Sequence, residues 1–177
     1  GVFMAESKTN NVQDTLDSLH ESVLTVILST INKDGGVETS YSPYFFDGSD
    51  YYVLISDLAP HSQNMKINPQ ISFIIIDDES KTKNIYARRR LSSQATAEIV
   101  DKNSPTFEKV IDQLAKRVSK MVYMLCEMND FNLFKITPTS GRIVIGFGKT
   151  YLIDHKNKIV TPVDEDYVAN QKKQSDS

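Results

Sequence analysis

Apolar positions in this chain follow two periods, and the change from one to the other marks its elements. Runs rich in β-branched residues predict strands over Val23–Thr30, Val37–Phe46, Tyr51–Ser56, Ile71–Ile76, Ile85–Val100, Phe131–Ile136 and Arg142–Ile153. Ile71–Ile76 is a nearly unbroken apolar run, which predicts burial on both faces. Asp34-Gly35-Gly36 and Asp47-Gly48 predict tight turns, since glycine reaches positive φ at little steric cost. Helical spacing takes over at Val12–Leu19, at Pro60–Ile67 and in one long stretch beginning at Ser104, a good N-cap followed by Pro105. There Phe107, Val110, Ile111, Leu114, Val118, Val122 and Leu125 share one face. Met121, Met124 and Met128 read as core filler. Short strands joined by tight turns, with one long late helix, predict a mainly β antiparallel barrel or sandwich.

Length and composition narrow this further. A chain of 177 residues is one domain by its size and can bury a core without staples. We divide it into a flexible N-terminus (1–14), a barrel domain (15–160) and a polar, flexible tail (161–177). The net charge of -3 argues against a general nucleic-acid binder. No apolar run reaches the ~20 residues that span a bilayer. The single cysteine, Cys126, forms no internal disulfide and reads as a buried thiol in a reducing compartment. The expected location is the cytoplasm, with no membrane and no nucleic-acid partner.

Candidate chemistry collects near strand ends. On a strand, Arg88 and Arg90 share a face, and two guanidinium forks there suit a phosphate. A solvated basic edge strand is the competing reading. Ser56 ends a strand, and His61, Ser62 and Asn64 fall in the helix that follows, whose first N–H groups can meet an anion. An ordinary strand–loop–helix corner is the alternative. Ser42 precedes Pro43, which cannot donate a ladder bond, so this strand is an edge or is bulged. Gly146 and Gly148 flank Phe147, allowing close backbone approach beside Lys149, a candidate for stabilising negative charge. The three histidines lack metal-ligand spacing, so no metal site is expected, and no hydrolase, P-loop or Rossmann signature is present.

Six segments, in order, carry a resemblance: Tyr-Ser-Pro-Tyr (41–44), Leu-Ile-Ser-Asp-Leu-Ala-Pro-His-Ser-Gln-Asn (54–64), Asn-Pro-Gln-Ile-Ser (68–72), Ala-Arg-Arg-Arg-Leu (87–91), Asp-Phe-Asn-Leu-Phe-Lys-Ile-Thr-Pro (130–138) and Gly-Phe-Gly-Lys-Thr-Tyr (146–151). Over residues 15–155 the chain resembles the pyridoxamine 5'-phosphate oxidase-like split barrels, most of all their haem-utilisation (HugZ/HutZ-like) branch. The resemblance implies a six-stranded FMN-binding split barrel that forms a homodimer with ligand at the subunit interface. It implies FMN against Ser42, Ile55 and Ser56, with its phosphate at the 61–64 corner and at Arg88 and Arg90. The expected function is that of a flavoprotein oxidoreductase acting on a small molecule. The alternative is a haem-binding protein for haem degradation or storage, and a further one is a non-catalytic flavin or haem carrier. In the haem branch a C-terminal histidine ligates iron and a residue matching Asp130 orients it. Here the matching position falls near Val168, and Thr161–Gln174 has no histidine. Tyr167 and His155 are the substitutes this sequence offers.

Overall fold

A computed structural model describes residues Val2–Ser175, with side chains from Asn11 onward. Among these residues nine strands form one antiparallel sheet: β1 (Thr25–Ile31), β2 (Val37–Pro43), β3 (Phe45–Phe46), β4 (Tyr51–Ser56), β5 (Gln70–Ile76), β6 (Arg90–Ile99), β7 (Phe131–Gly146), β8 (Lys149–Asp154) and β9 (Ile159–Pro162). The main path runs β2-β1-β5-β6-β7-β4-β3, and β8 and β9 extend from the second half of β7. The sheet curls until β2 lies against β4, yet among the described residues no ladder joins them. The barrel is therefore split at that seam. Among the described residues five helices accompany it: α1 (Val2–Ser22), α2 (Pro60–Ile67), α3 (Pro105–Arg117), α4 (Met121–Leu125) and α5 (Glu165–Ser175).

The architecture is thus a mixed α/β split barrel rather than a mainly β one of six strands with one long helix. The extra elements are short or polar, and the apolar period could not register them. α1 runs well beyond the expected Val12–Leu19, through polar residues free of proline and glycine. α5 is mostly polar, with no buried residue. The last two residues of the expected tail lie outside the described ones.

The long predicted helix is two. α3 stops at Arg117, and Ser119 and Lys120 turn the chain into the five-residue α4. That break rotates the methionines outward: Met121 and Met124 are each 58% exposed and Met128 is 43% exposed, so they are not core filler. Cys126 is half-buried rather than enclosed. The start of α3 is as its sequence specifies, with Ser104 Oγ accepting the Phe107 N–H. Ser104→Ala should cost about 1 kcal/mol of unfolding free energy in urea titration.

Two cores hold the layers together. Inside the barrel, Val12 and Leu19 of α1 pack on Val26, Leu28, Phe73, Leu91, Phe134 and Ile143. On the outside of β4 and β7, α3 and α4 bury Phe107, Ile111, Leu114 and Val122 against Tyr52 and Leu133. Among the described residues no helix buries side chains against the rest of the outer face. β5 accordingly alternates, with Ile71, Phe73 and Ile75 buried and Ser72, Ile74 and Ile76 half-buried. Continuous apolar character had suggested two buried faces, and one of them is the floor of the groove described next.

Candidate functional site

One cross-strand row crosses seven strands on the outer face: Tyr41, Ile27, Ile74, Ser92, Arg142, Leu152 and Thr161 pair in succession. Residues directly opposite in a ladder point to the same side of the sheet, so this row forms a strip. From Ile27 to Thr161 it lines a groove of about 720 Å³ together with Ser29, Ser72 and Ile159. The strip is apolar and small-residue in character, with the Arg142 guanidinium near its middle. Gly141, beside Arg142, is forced by packing: a Cβ there would lie 2.7 Å from the Ser92 carbonyl oxygen. Such a groove suits a flat apolar ligand bearing an anionic group, which a guanidinium can bind through paired N–H bonds.

The predicted site residues divide between two ends of the sheet. Ser56, His61, Ser62 and Asn64 come together at one end. Ser56 Oγ donates to Asp130 Oδ2 at 2.8 Å, and Ser62 Oγ donates to Asp57 Oδ1 at 2.9 Å. Asn64 Nδ2 donates to Thr30 Oγ1 at 3.0 Å, which fixes α2 against β1. His61 Nδ1 is buried without a partner, and burial holds this imidazole below its ordinary pKa, so it is neutral at pH 7. This corner adjoins the far end of β6, where the Ala97 N–H donates to the Pro69 carbonyl.

Arg88, Arg90 and Lys149 stand at the other end. Arg90 opens β6 opposite Ile76 and Val144, and Lys149 opens β8 opposite Gly146. From Arg90 to Ala97 the strand covers roughly 23 Å at a rise of ~3.3 Å per residue. Within one chain the arginines and the histidine corner therefore do not converge. Nor do Arg88 and Arg90 share a strand face. Ile85–Ala87 is a single 3-10 turn with Arg88 as its C-cap, and the strand begins only at Arg90. The Arg88 Nε donates to the Asp77 carbonyl at 2.6 Å, and Arg90 Nη1 donates to the Arg88 carbonyl at 2.7 Å. The local reason is the Asn84 side chain, which accepts the Tyr86 N–H and turns the backbone out of the sheet.

Ser42 and Ile55 present their side chains to the core. Ser42 is 3% exposed, and its hydroxyl donates to the Pro43 carbonyl. Ile55 is 4% exposed within the barrel core. β2 is an edge strand, as Pro43 requires. The sequence pattern gives no site role to Arg142, Lys66 or Asn132, and it includes Asp57 only as part of the 57–64 corner. Arg142 carries a signal after the fact, a cation between Ser140-Gly141 and the apolar Ile143-Val144-Ile145. Asn132 carries none, because its partner is 75 residues away.

Among the described residues no cluster of three or more His, Cys, Asp or Glu side chains could hold a metal ion. No described helix is long and apolar enough to cross a membrane.

Comparison with known proteins supplies the lineage. The profile of the pyridoxamine 5'-phosphate oxidase family matches residues 12–145. Heme oxygenase HutZ of Vibrio cholerae is 36% identical over 129 residues, 73% of either chain. The crystal structure of HutZ, described there as the heme storage protein of Vibrio cholerae, superposes with a TM-score of 0.66 at 33% identity, covering 70% of this chain and 87% of HutZ. Campylobacter jejuni ChuZ superposes with a TM-score of 0.77 at 31% identity, covering 87% of this chain and 63% of ChuZ. With three quarters of its length matched and the split barrel in common, the chain belongs to the pyridoxamine 5'-phosphate oxidase family, on its HutZ/ChuZ branch.

Proposed function

We propose that this chain binds haem and serves haem storage or breakdown. The observation that carries the reading is its 36% identity with HutZ over 73% of both proteins. The outer groove supports it. Ile27, Ile74, Leu152 and Ile159 offer an apolar floor for a macrocycle, and Arg142 offers a fork for a carboxylate. Bound haem would supply the redox-active iron, while the chain's own part is to hold the ring, anchor its carboxylate and exclude water.

α5 contains no histidine to match the one the resemblance implies there, so in this reading the iron would be held by another imidazole of the chain. Of the three imidazoles, His20 engages Tyr51 and His155 engages Ser93 through Nε2. His61 alone has a buried ring nitrogen with no partner, and as a neutral imidazole it keeps a lone pair for iron. α2 packs on Thr30, whose side chain faces the opposite side of β1 from Ile27. A haem touching both His61 and the groove would thus sit between two copies, and a homodimer is part of the reading.

Titration of the apoprotein with haemin should give a saturable Soret shift. Arg142→Ala should weaken binding about 10–100-fold, the equivalent of one charged hydrogen bond of ~1.5–3 kcal/mol. His61→Ala should change the position of the Soret band. A Soret band that never shifts sinks the reading. Turnover with a reductant and oxygen then separates an oxygenase from a carrier.

FMN is the second reading, favoured by the family profile over residues 12–145. It requires Arg88 or Arg90 of one copy to meet the 61–64 corner of another, with Lys149 beside them. Fluorescence quenching on FMN titration, with no response to haemin, would select it and the oxidoreductase chemistry that goes with it.

A further inference from the structure

Three donors at the α2 corner converge on a single oxygen atom. Ser62 Oγ at 2.9 Å, Lys66 Nζ at 2.7 Å and Asn132 Nδ2 at 2.7 Å all donate to Asp57 Oδ1. They come from two separate elements: Ser62 and Lys66 lie one turn apart on α2, and Asn132 lies on β7. Ser62 is fully buried, so its hydroxyl has no water to serve instead. A hydroxyl, an amide and an ammonium around one point make a hole shaped for an anionic oxygen. In this chain the oxygen is the protein's own.

We propose that Asp57 is a built-in occupant of this three-donor hole and closes it to phosphate-bearing ligands. Sterically, the carboxylate stands where a phosphate oxygen would have to go. Electrostatically, an arriving dianion would meet two carboxylates, since the Asp57 N–H donates to the Asp130 carbonyl at 2.6 Å and Asp130 Oδ2 takes the Ser56 hydroxyl. Lys66 is the single cation in the network. The Lys66 ammonium, followed by the Ser62 and Asn132 donors, holds the Asp57 carboxyl below the usual carboxylate range, so its charge persists at neutral pH. His61, neutral in its buried setting, adds no compensating charge. Selectivity against phosphomonoesters therefore resides in one side chain. This goes beyond the haem reading and does not depend on it, because haem carries carboxylates and no phosphate.

The test uses the full chain and inorganic phosphate at fixed ionic strength. Asp57→Ala empties the hole and leaves its donors in place. By calorimetry the variant should bind phosphate at least tenfold more tightly than the wild type, and its thermal midpoint should rise with phosphate. Adding Lys66→Met to Asp57→Ala should remove the gain. Equal phosphate binding by Asp57→Ala and wild type overturns the proposal. Should Asp57→Ala fail to fold, the wild type decides by itself. Its Asn132 side-chain amide resonances should stay in place as phosphate is added, and a saturable displacement would overturn the proposal. Neither readout involves haem, so a failed haem titration leaves this result unaffected.

Discussion

Arg117→Ala is expected to lower the unfolding free energy by about 3–5 kcal/mol, among the largest effects of any single substitution in this chain. Arg117 closes α3, and its guanidinium donates to three backbone carbonyls outside that helix. Nε donates to the Tyr44 carbonyl at 3.0 Å, and Nη2 donates to the His20 and Val23 carbonyls at 2.6 and 2.8 Å. The last two acceptors lie at the C-terminal end of α1, where carbonyls lack helical partners and the helix dipole favours a cation. The guanidinium also sits 4.8 Å from the centre of the fully buried Tyr44 ring. One side chain thus ties α1 and the β2–β3 corner to the outer helical layer. Alanine would leave three carbonyls without their donor, each costing about 1–3 kcal/mol with incomplete additivity. Arg117→Lys should recover only a small part, since an ammonium cannot span three acceptors in the fork's plane. Guanidinium chloride unfolding measures both variants. An alanine variant within 1 kcal/mol of the wild type would show that water replaces the donor.

Acidification should remove about 3 kcal/mol of stability through His20. This imidazole is stacked on Phe46 with ring centroids 4.1 Å apart, and its Nε2 meets the Tyr51 hydroxyl at 2.6 Å. Burial, then the Arg117 charge, then His155, pull its pKa from 6.5 down to about 4, while Asp17 acts in the opposite direction. The folded state therefore resists a proton that the unfolded chain accepts. The contribution is fully present above pH 6.5 and is lost as pH falls, with the loss complete below about pH 4. A depression of this size corresponds to about 3 kcal/mol at ~1.4 kcal/mol per pH unit. Burial also lowers His61 and His155, and their losses carry the same sign. His20→Gln keeps a polar partner for Tyr51 and cannot titrate, so its stability should vary less between pH 7 and 4. Parallel pH profiles for variant and wild type would exclude His20 as the acid-sensitive group. The two predictions are linked: Arg117→Ala removes a positive charge from beside His20 and should raise its pKa, as imidazole NMR titration would read.

Pattern and composition were sufficient wherever the physics is local. The Ser104-Pro105 start of α3, the glycine turn at Gly35 with φ +84°, the bulge at Gly146 and the edge placement of the Pro43 strand all follow from φ preferences and missing N–H groups within a few residues. The ordered short segments were enough to point to the family. α1, by contrast, looks loose over residues 5–14 because that stretch is mostly polar, and the methionine stretch looks buried because a periodic pattern cannot see the break after Arg117.

The site was legible only in pieces. Ser56, His61, Ser62 and Asn64 were found as a corner, and they do form one. What the corner does depends on Asp57, Lys66 and Asn132, and which of these meet is set by β4 pairing with β7 across more than 70 residues. Arg88 and Arg90 were grouped by counting along a strand that has not yet begun at Arg88. The row that carries Arg142 between Ser92 and Leu152 is a property of register and appears in no single segment.

The amino-acid order by itself thus determined the strands, the caps and the lineage, since each is encoded by neighbours in the chain. Only the tertiary structure decided which face of the sheet remains open, that the arginine and histidine ends stand apart, and that Asp57 fills its own anion hole. Those facts depend on the directions of hydrogen bonds between distant strands, and a one-residue change of register would turn every side chain of a strand to the other face.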